Sequence, residues 1–426
     1  MQRVIWFLVF NALSSIAFAN EQPEGGTKDV IQLINESENP PLSNEFSDVE
    51  YVPSPLTRQN VEDYLNQQRK EKLPINISDD LTENLSGLDL SGLNFGNAKM
   101  LRVQLMNSNI SDVNFSNAYM EEINLVGANA LRANFTNASI AASNFEKANL
   151  TNAVLNNTYA EEVIFKNANL ESTLITNSNL NFADFTEAIL NNTKLIYSSA
   201  TNVNFANSKG NHLNLKQSDL TKANLSNISW SNPNLESVTL NEADLTNANF
   251  IKANLFAMIA RKATMNNISI QGAYAEAADF NYSKITNANL KGIVFNNAFC
   301  RYCDLSNSNF SISMLSNTDF SYANLSSINL TSAILSEAIM IDTKMSQSIL
   351  DRAFLSGANL SFSDFSNANI IESNFDQSNL RSAIFSNAKF ENNTFNKVIG
   401  ISQNDIDRLT KPVINTSDNK LALKTN

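Results

Sequence analysis

From Leu85 to Phe395 every fifth residue is large and apolar, and the beat never slips: Leu85, Leu90, Phe95, Met100, Leu105 and onward to Phe385, Phe390 and Phe395. The series has 63 members, and only Ala130, Ala160, Ala200, Gly210, Ala260, Ala275 and Cys300 are small. No insertion or deletion interrupts the phase. A period of five matches neither the 3.6 of a helix nor the 2 of an ordinary strand, so the pattern predicts a repeat architecture rather than a conventional sheet or bundle.

Two residues before each centre runs a second column, mostly small, as at Ala98, Ala118, Ala128, Ala133, Ala138, Ala148, Ser178 and Thr193. Between the columns stands a position dominated by Asn or Asp, as at Asn94, Asn109, Asn114 and Asn124, and the two residues after each centre are polar. Each unit therefore offers one large and one small inward side chain and three outward polar ones. Asn and Ser favour turns through bonds from side chain to backbone. One turn per five residues gives short extended sides joined by sharp corners. Coils of this kind stack at the strand spacing of about 4.8 Å, with the apolar centres in columns inside a solenoid.

The motif A-[DN]-[LF]-x-x, as in Ala148-Asn149-Leu150, Ala223-Asn224-Leu225, Ala288-Asn289-Leu290 and Ala358-Asn359-Leu360, resembles that of pentapeptide-repeat proteins over about three quarters of the chain. The resemblance implies an all-β fold, a right-handed quadrilateral β-helix with twenty residues per coil. On that basis the 63 units make roughly 16 coils and a rod on the order of 75 Å long. The exceptions fit such a coil. Gly210 lies twenty residues before Trp230, oversized Leu213 follows Gly210, and oversized Met258 accompanies Ala260, so volume is conserved locally, as a close-packed core demands.

The flanks complete a five-part organisation. Residues 1–19 read as an export signal, with Arg3, an apolar run from Val4 to Phe10 and Ala17-Phe18-Ala19 before Asn20. Residues 20–55 are acidic and Pro-containing and are expected to be a disordered linker. Residues 56–84 form a helical N-terminal cap: Thr57 is an N-cap, Leu56 and Val61 are a hydrophobic staple, and Pro74 follows the end. Its narrow apolar face (Val61, Tyr64, Leu65) suits a lid over the first coil, whose edge would otherwise be unpaired, in preference to a partner-binding helix. The β-helix spans residues 85–397, and residues 398–426 hold a C-terminal helical cap and tail. There Ser402 and Asp405 form a capping pair and Ile401 and Ile406 a staple, before Leu409 and Pro412. In some relatives this end forms a homodimer interface, so that remains open here.

Charge alters the functional reading. The net of −12 divides into −8 for residues 1–84 and −4 for the remainder. Certain pentapeptide-repeat proteins bind DNA gyrase as acidic mimics of duplex DNA and confer fluoroquinolone resistance. Mimicry needs a dense negative surface, whereas here Lys99, Arg102, Arg132, Lys147, Lys166, Arg261 and Lys262 are interspersed with the acids. An exported protein would also not meet gyrase. No nucleic-acid partner is expected, and no membrane span after signal cleavage.

Catalytic chemistry finds little purchase. The single histidine, His212, sits in the irregular Lys209-Gly210-Asn211-His212 stretch and reads as an exposed corner residue. A metal site needs several converging ligands, and neither a phosphate loop nor a nucleophile motif is present. No catalytic residue, cofactor or metal is expected. Cys300 holds a centre position and Cys303 the next small position, so both point inward across one corner. The ends of a four-residue turn lie within about 7 Å, compatible with a disulfide in an oxidising compartment. Buried free thiols are the preferred reading, a structural disulfide the second, redox chemistry the last.

One outward feature exceeds the background. Tyr282, Tyr302, Tyr322 and Phe362 fall at multiples of twenty, with Asp342 interrupting, and Phe299 lies just across the same corner. Such a stripe reads first as a self-stabilising ladder and second as a contact surface. The chain is therefore expected to be a non-enzymatic exported structural or scaffold protein, periplasmic or secreted, that binds another protein through the β-helix faces. A secreted effector of a host-associated bacterium and a DNA-mimicking topoisomerase inhibitor are the alternatives.

Overall fold

The computed structural model describes residues 50–410; the readings for residues 1–49 and 411–426 lie outside them. From the first coil to the last, parallel bridges join residues twenty apart. Four ladders run in each coil: Asn84↔Gln104, Asp89↔Asn109, Asn94↔Asn114 and Lys99↔Tyr119 open them, and Asn379↔Ile399 still keeps the register at the far end. The fold is a four-sided β-solenoid. Most sides are single bridges. Only a few lengthen into three-residue strands: β1 (Leu174–Thr176) pairs with β2 (Lys194–Ile196), β3 (Lys209–Asn211) with β4 (Ser229–Ser231) and β5 (Asn249–Ile251), and β6 (Ile349–Asp351) with β7 (Asn369–Ile371) and β8 (Lys389–Glu391).

The corners explain the repeat's composition. The second residue after each centre adopts a positive φ, as at Asn97 (62°), Asn117 (57°) and Asn137 (59°), a conformation that Asn tolerates better than most residues. The corner closes when the next small residue donates back to the centre, as Ala98 N does to Phe95 O at 2.9 Å. The outward Asn serves both neighbours. Asn94 Oδ1 accepts from Gly96 N at 2.9 Å within its own corner, and Asn114 Nδ2 donates to Asn94 Oδ1 at 3.0 Å from the coil above.

Inside, the centres stack coil on coil. Phe95, Phe115 and Phe135 follow at centroid distances of 5.4 and 5.1 Å, and Phe165, Phe185 and Phe205 at 4.9 and 4.8 Å. Fully burying one such side chain contributes about 1.5–3 kcal/mol. The small column is apolar or hydroxylated for a reason. Many of the buried Ser and Thr hydroxyls there donate to a carbonyl of the coil below, as Ser178 Oγ does to Leu155 O (2.8 Å) and Ser308 Oγ to Ile285 O (2.8 Å), which satisfies an otherwise costly buried hydroxyl. The paired exceptions also behave as expected. Trp230 lies over Gly210 in register, and its Nε1 donates to Ser208 Oγ at 3.1 Å, in the coil below. A Cβ on Gly210 would sit 3.2 Å from Leu190 O. Leu213 and Met258 are buried.

Helix α1 (Arg58–Glu71) begins at N-cap Thr57, whose capping box closes with Asn60, and buries Val61 and Leu65 against the solenoid core. Helix α2 (Ile77–Asp80) follows. The segment before it continues the ladder: Asn76 bridges Lys99, with Ile77 N donating to Lys99 O and Lys99 N to Ile75 O, both at 2.9 Å. Arg58 reaches Asp89 O and Ser91 O. The apolar face is thus spent on the solenoid, as a lid requires. One boundary needs correction. The end of the expected linker is docked: Ser54 N donates to Ser86 O at 2.9 Å, and Asn84 Nδ2 to Val52 O at 3.2 Å. Ser54 is attached because the first coil leaves its backbone groups unpaired on that side.

At the other end, Gly400 has φ 83°, and a Cβ there would run into the backbone of Arg381, so the chain can leave the last coil only through glycine. Helix α3 (Gln403–Thr410) follows. Ser402 Oγ donates to Asp405 Oδ2 at 2.6 Å and accepts from Asp405 N at 3.2 Å, while Ile401, Ile406 and Leu409 pack on the core. No helix among the described residues is long and apolar enough to cross a membrane.

Candidate protein-binding surface

Each side of a coil presents one fully outward residue, and the corners present two more, so the surface is a set of columns whose members repeat every twenty residues. In the corner column, Tyr282, Tyr302 and Tyr322 stack in parallel, with centroids 5.1 and 4.8 Å apart and planes within 4° and 8°. All three are exposed. Stacked face to face, they show solvent their edges and hydroxyls. The structure does not bring the other two expected members into this stack. Phe362 stands two coils beyond Tyr322, with Asp342 between. Phe299 is exposed on the adjacent face, and no ring contact joins it to the ladder among the described residues.

These corner residues occupy an unfavourable backbone. Tyr282, Tyr302, Tyr322 and Phe362 have φ of 66°, 58°, 64° and 65°, where bulky side chains are rare and Asn or Gly is preferred. Ring stacking offsets that, at about 0.5–1.5 kcal/mol per pair.

A second column escaped the sequence reading. Tyr274, Val294, Met314, Ile334 and Phe354 follow one another on one face, bridged in register, and all but Val294 are exposed. The signal was present: five successive multiples of twenty carry apolar residues at the position usually held by Asn or Asp. It was hidden because the apolar beat of the centres dominates the pattern.

Several charged groups pair between coils. Arg132 meets Asp112 at 2.6 Å, Arg102 meets Glu122 at 2.8 Å, Lys216 meets Glu236 at 2.8 Å and Arg261 meets Asp279 at 2.7 Å. The bond from Arg132 holds the Asp112 carboxyl below the usual carboxylate range. Three tyrosines bond the glutamate two residues on: Tyr119 to Glu121, Tyr159 to Glu161 and Tyr274 to Glu276, at 2.6, 2.5 and 2.5 Å. Each bond raises the phenol's pKa by favouring its protonated form. His212 is exposed at a corner with φ 57°. Among the described residues, no group of His, Cys, Asp or Glu is arranged to hold a metal ion.

Cys300 and Cys303 are joined as a disulfide across their corner, Cα atoms 5.3 Å apart, and both are buried. This corrects the preference for free thiols. The turn brings the centre and the next small residue together wherever it occurs, so two inward cysteines there are within bonding reach. Cys303 Sγ also lies 3.1 Å from Phe280 O, where the coil below places the Ser283 hydroxyl against Ala260 O.

The model of the family Pentapeptide repeats matches residues 84–227, 231–256, 276–311 and 315–396, in overlapping segments. Among solved structures, this chain is similar to HetL, a pentapeptide repeat protein involved in heterocyst differentiation regulation from Nostoc sp. It shares 24% identity, over 55% of this chain and 87% of that one, with a TM-score of 0.25. A pentapeptide repeat protein from the Arabidopsis thaliana thylakoid lumen is 24% identical over 26% of this chain and 75% of its own, TM-score 0.25. QnrB1 (M102R, trypsin-treated), a plasmid-mediated fluoroquinolone resistance protein, is 17% identical over 47% and 94%, TM-score 0.25. No curated protein matches. With more than half of its length matched by the family model, and with the solenoid built by that repeat, the chain belongs to the pentapeptide-repeat family.

Proposed function

We propose that this protein is an exported, non-enzymatic scaffold that binds another protein through the outer columns of its solenoid, with the tyrosine ladder as a principal contact. The observation that carries this reading is the exposed parallel stack of Tyr282, Tyr302 and Tyr322 along one corner of three successive coils. An exposed aromatic stripe of this kind suits a contact surface. Tyrosine edges and hydroxyls offer apolar area together with hydrogen bonding, the combination enriched at protein interfaces. Export rests on the leader-like residues 1–19 and accords with an oxidised Cys300–Cys303 pair. Periplasm or medium would then be its location.

The topoisomerase-inhibitor reading is weaker, because the net charge beyond residue 84 is only −4 and basic residues such as Arg132 and Arg261 stand among the acids, pairing with Asp112 and Asp279. No specific observation favours the effector reading; it would be supported by finding the protein in host cells.

The test places a photo-crosslinking amino acid at Tyr302 in the producing cell. A discrete adduct, lost when Tyr282 and Tyr322 are changed to Ser with the melting temperature of the variant kept, supports the reading. A stability loss on Tyr302→Ser without any adduct contradicts it and makes the ladder structural.

A further inference from the structure

We propose that the face carrying Tyr274, Val294, Met314, Ile334 and Phe354 is a homodimer interface, in which two copies pack antiparallel about a two-fold axis at Met314. This surface is separate from both the tyrosine ladder and the C-terminal end.

The pattern on this face is nearly a palindrome. Reading outward from Met314, the neighbours are Val294 and Ile334, then Tyr274 and Phe354, then Asn254 and Asn374, then Asn234 and Thr394. A two-fold axis in the plane of the face and perpendicular to the solenoid places β-branched on β-branched, aromatic on aromatic and, at Asn254 and Asn374, amide on amide, with polar Asn234 and Thr394 opposed at the rim. Isologous contacts require this self-complementarity. The result is an apolar centre with a polar rim, the usual anatomy of a stable interface.

At its centre the column lacks the usual amide cap. Elsewhere the outward Asn caps the following corner; at Met314 it cannot, and Ser316 N donates instead to Asn296 Oδ1 of the coil below, at 2.9 Å. Beside Met314 stands Ile312, 57% exposed, with φ 55°. A β-branched residue in that backbone is a genuine outlier, and it falls at the level of the axis, where its symmetry mate would meet it.

Charge and area agree with this arrangement. Antiparallel packing sets Glu276 opposite Ser356, Glu337 opposite Asn297 and Lys291 opposite Thr331, so no like charges meet. A parallel pairing would instead oppose Lys194 with its own copy. The solenoid end near Thr394 limits the overlap to residues 234–394, nine coils or about 43 Å at the strand spacing. Three extended residues span about 10 Å and the corners roughly double that. The contact is then on the order of 850 Å² per partner, against roughly 800 Å² for a stable interface.

The experiment measures the mass of the full chain by light scattering across concentration, with Met314→Lys, Met314→Cys and Val294→Cys. The inference expects a dimer whose mass halves in Met314→Lys while the melting temperature holds. Met314→Cys should crosslink to itself under oxidation, and Val294→Cys, displaced from the axis, should not. A monomer at every concentration, a dimer indifferent to Met314→Lys, or self-crosslinking at Val294→Cys each overturns it. So does a Met314→Cys adduct with a different protein in place of a second copy.

Discussion

Trp230 and Gly210 offer the most informative perturbation of the fold, because their fit depends on the coil being twenty residues long. Trp230 pairs with Gly210 in register, packs edge-on against Phe205 at 5.4 Å and bonds Ser208, both in the coil below. Its indole therefore fills the space that Gly210 leaves. Trp230→Leu restores the common residue type but empties roughly 60 Å³, which at about 24 cal/mol per Å³ costs some 1.5 kcal/mol. The lost indole contacts and the orphaned Ser208 hydroxyl add about 1–2 kcal/mol. Gly210→Leu alone overpacks the same space, with its Cβ already 3.2 Å from Leu190 O, at about 1–3 kcal/mol. Together the two changes rebuild an ordinary layer, so the double variant should be less destabilised than the sum of the singles by about 1–3 kcal/mol. Long repeat arrays need not unfold in two states, so amide hydrogen exchange across residues 205–250 is the appropriate readout. Additivity within about 0.5 kcal/mol would refute the argument.

Other predictions are local. Non-reduced protein should present no titratable thiol after denaturation, and Cys303→Ser should cost no more than about 2 kcal/mol, because the closed loop is short and the new hydroxyl can bond Phe280 O as serine does in other coils; two free thiols would contradict the disulfide. Val61→Asp should detach α1, seen as protease cleavage within residues 58–71 and as association through the bared first coil, whereas an intact, monomeric variant would count against the lid. Asp112 is held below the usual carboxylate range by Arg132, so its contribution is present above the unfolded-state pKa and is lost as pH falls through the lower folded value. Arg132→Ala should therefore raise the Asp112 midpoint in an NMR titration, and an unchanged midpoint would remove the pair as its cause.

The sequence revealed most of this fold because a solenoid is locally determined: each coil repeats one set of inward and outward positions, so Leu85 and Phe395 obey the same rule. Gly210 with Trp230 was legible for the same reason. Part of what escaped lies outside the five-residue rule. The attachment of Ser54 to Ser86 joins a non-repeating segment to the first edge, and its composition resembles that of a linker. The disulfide stood second because inward cysteines fit the core equally well as small apolar residues. The ladder's true members were partly legible. Tyr282, Tyr302 and Tyr322 follow from the period of twenty, but ring contact needs consecutive coils, which excludes Phe362, and the same column, which excludes Phe299.

The central claim, an exported binding scaffold, is tested most directly by fractionating the producing cell and sequencing the N-terminus of the mature chain. The account predicts a chain beginning at Asn20 in the periplasm or the medium. A full-length chain in the cytoplasm would contradict it and return the topoisomerase reading to first place.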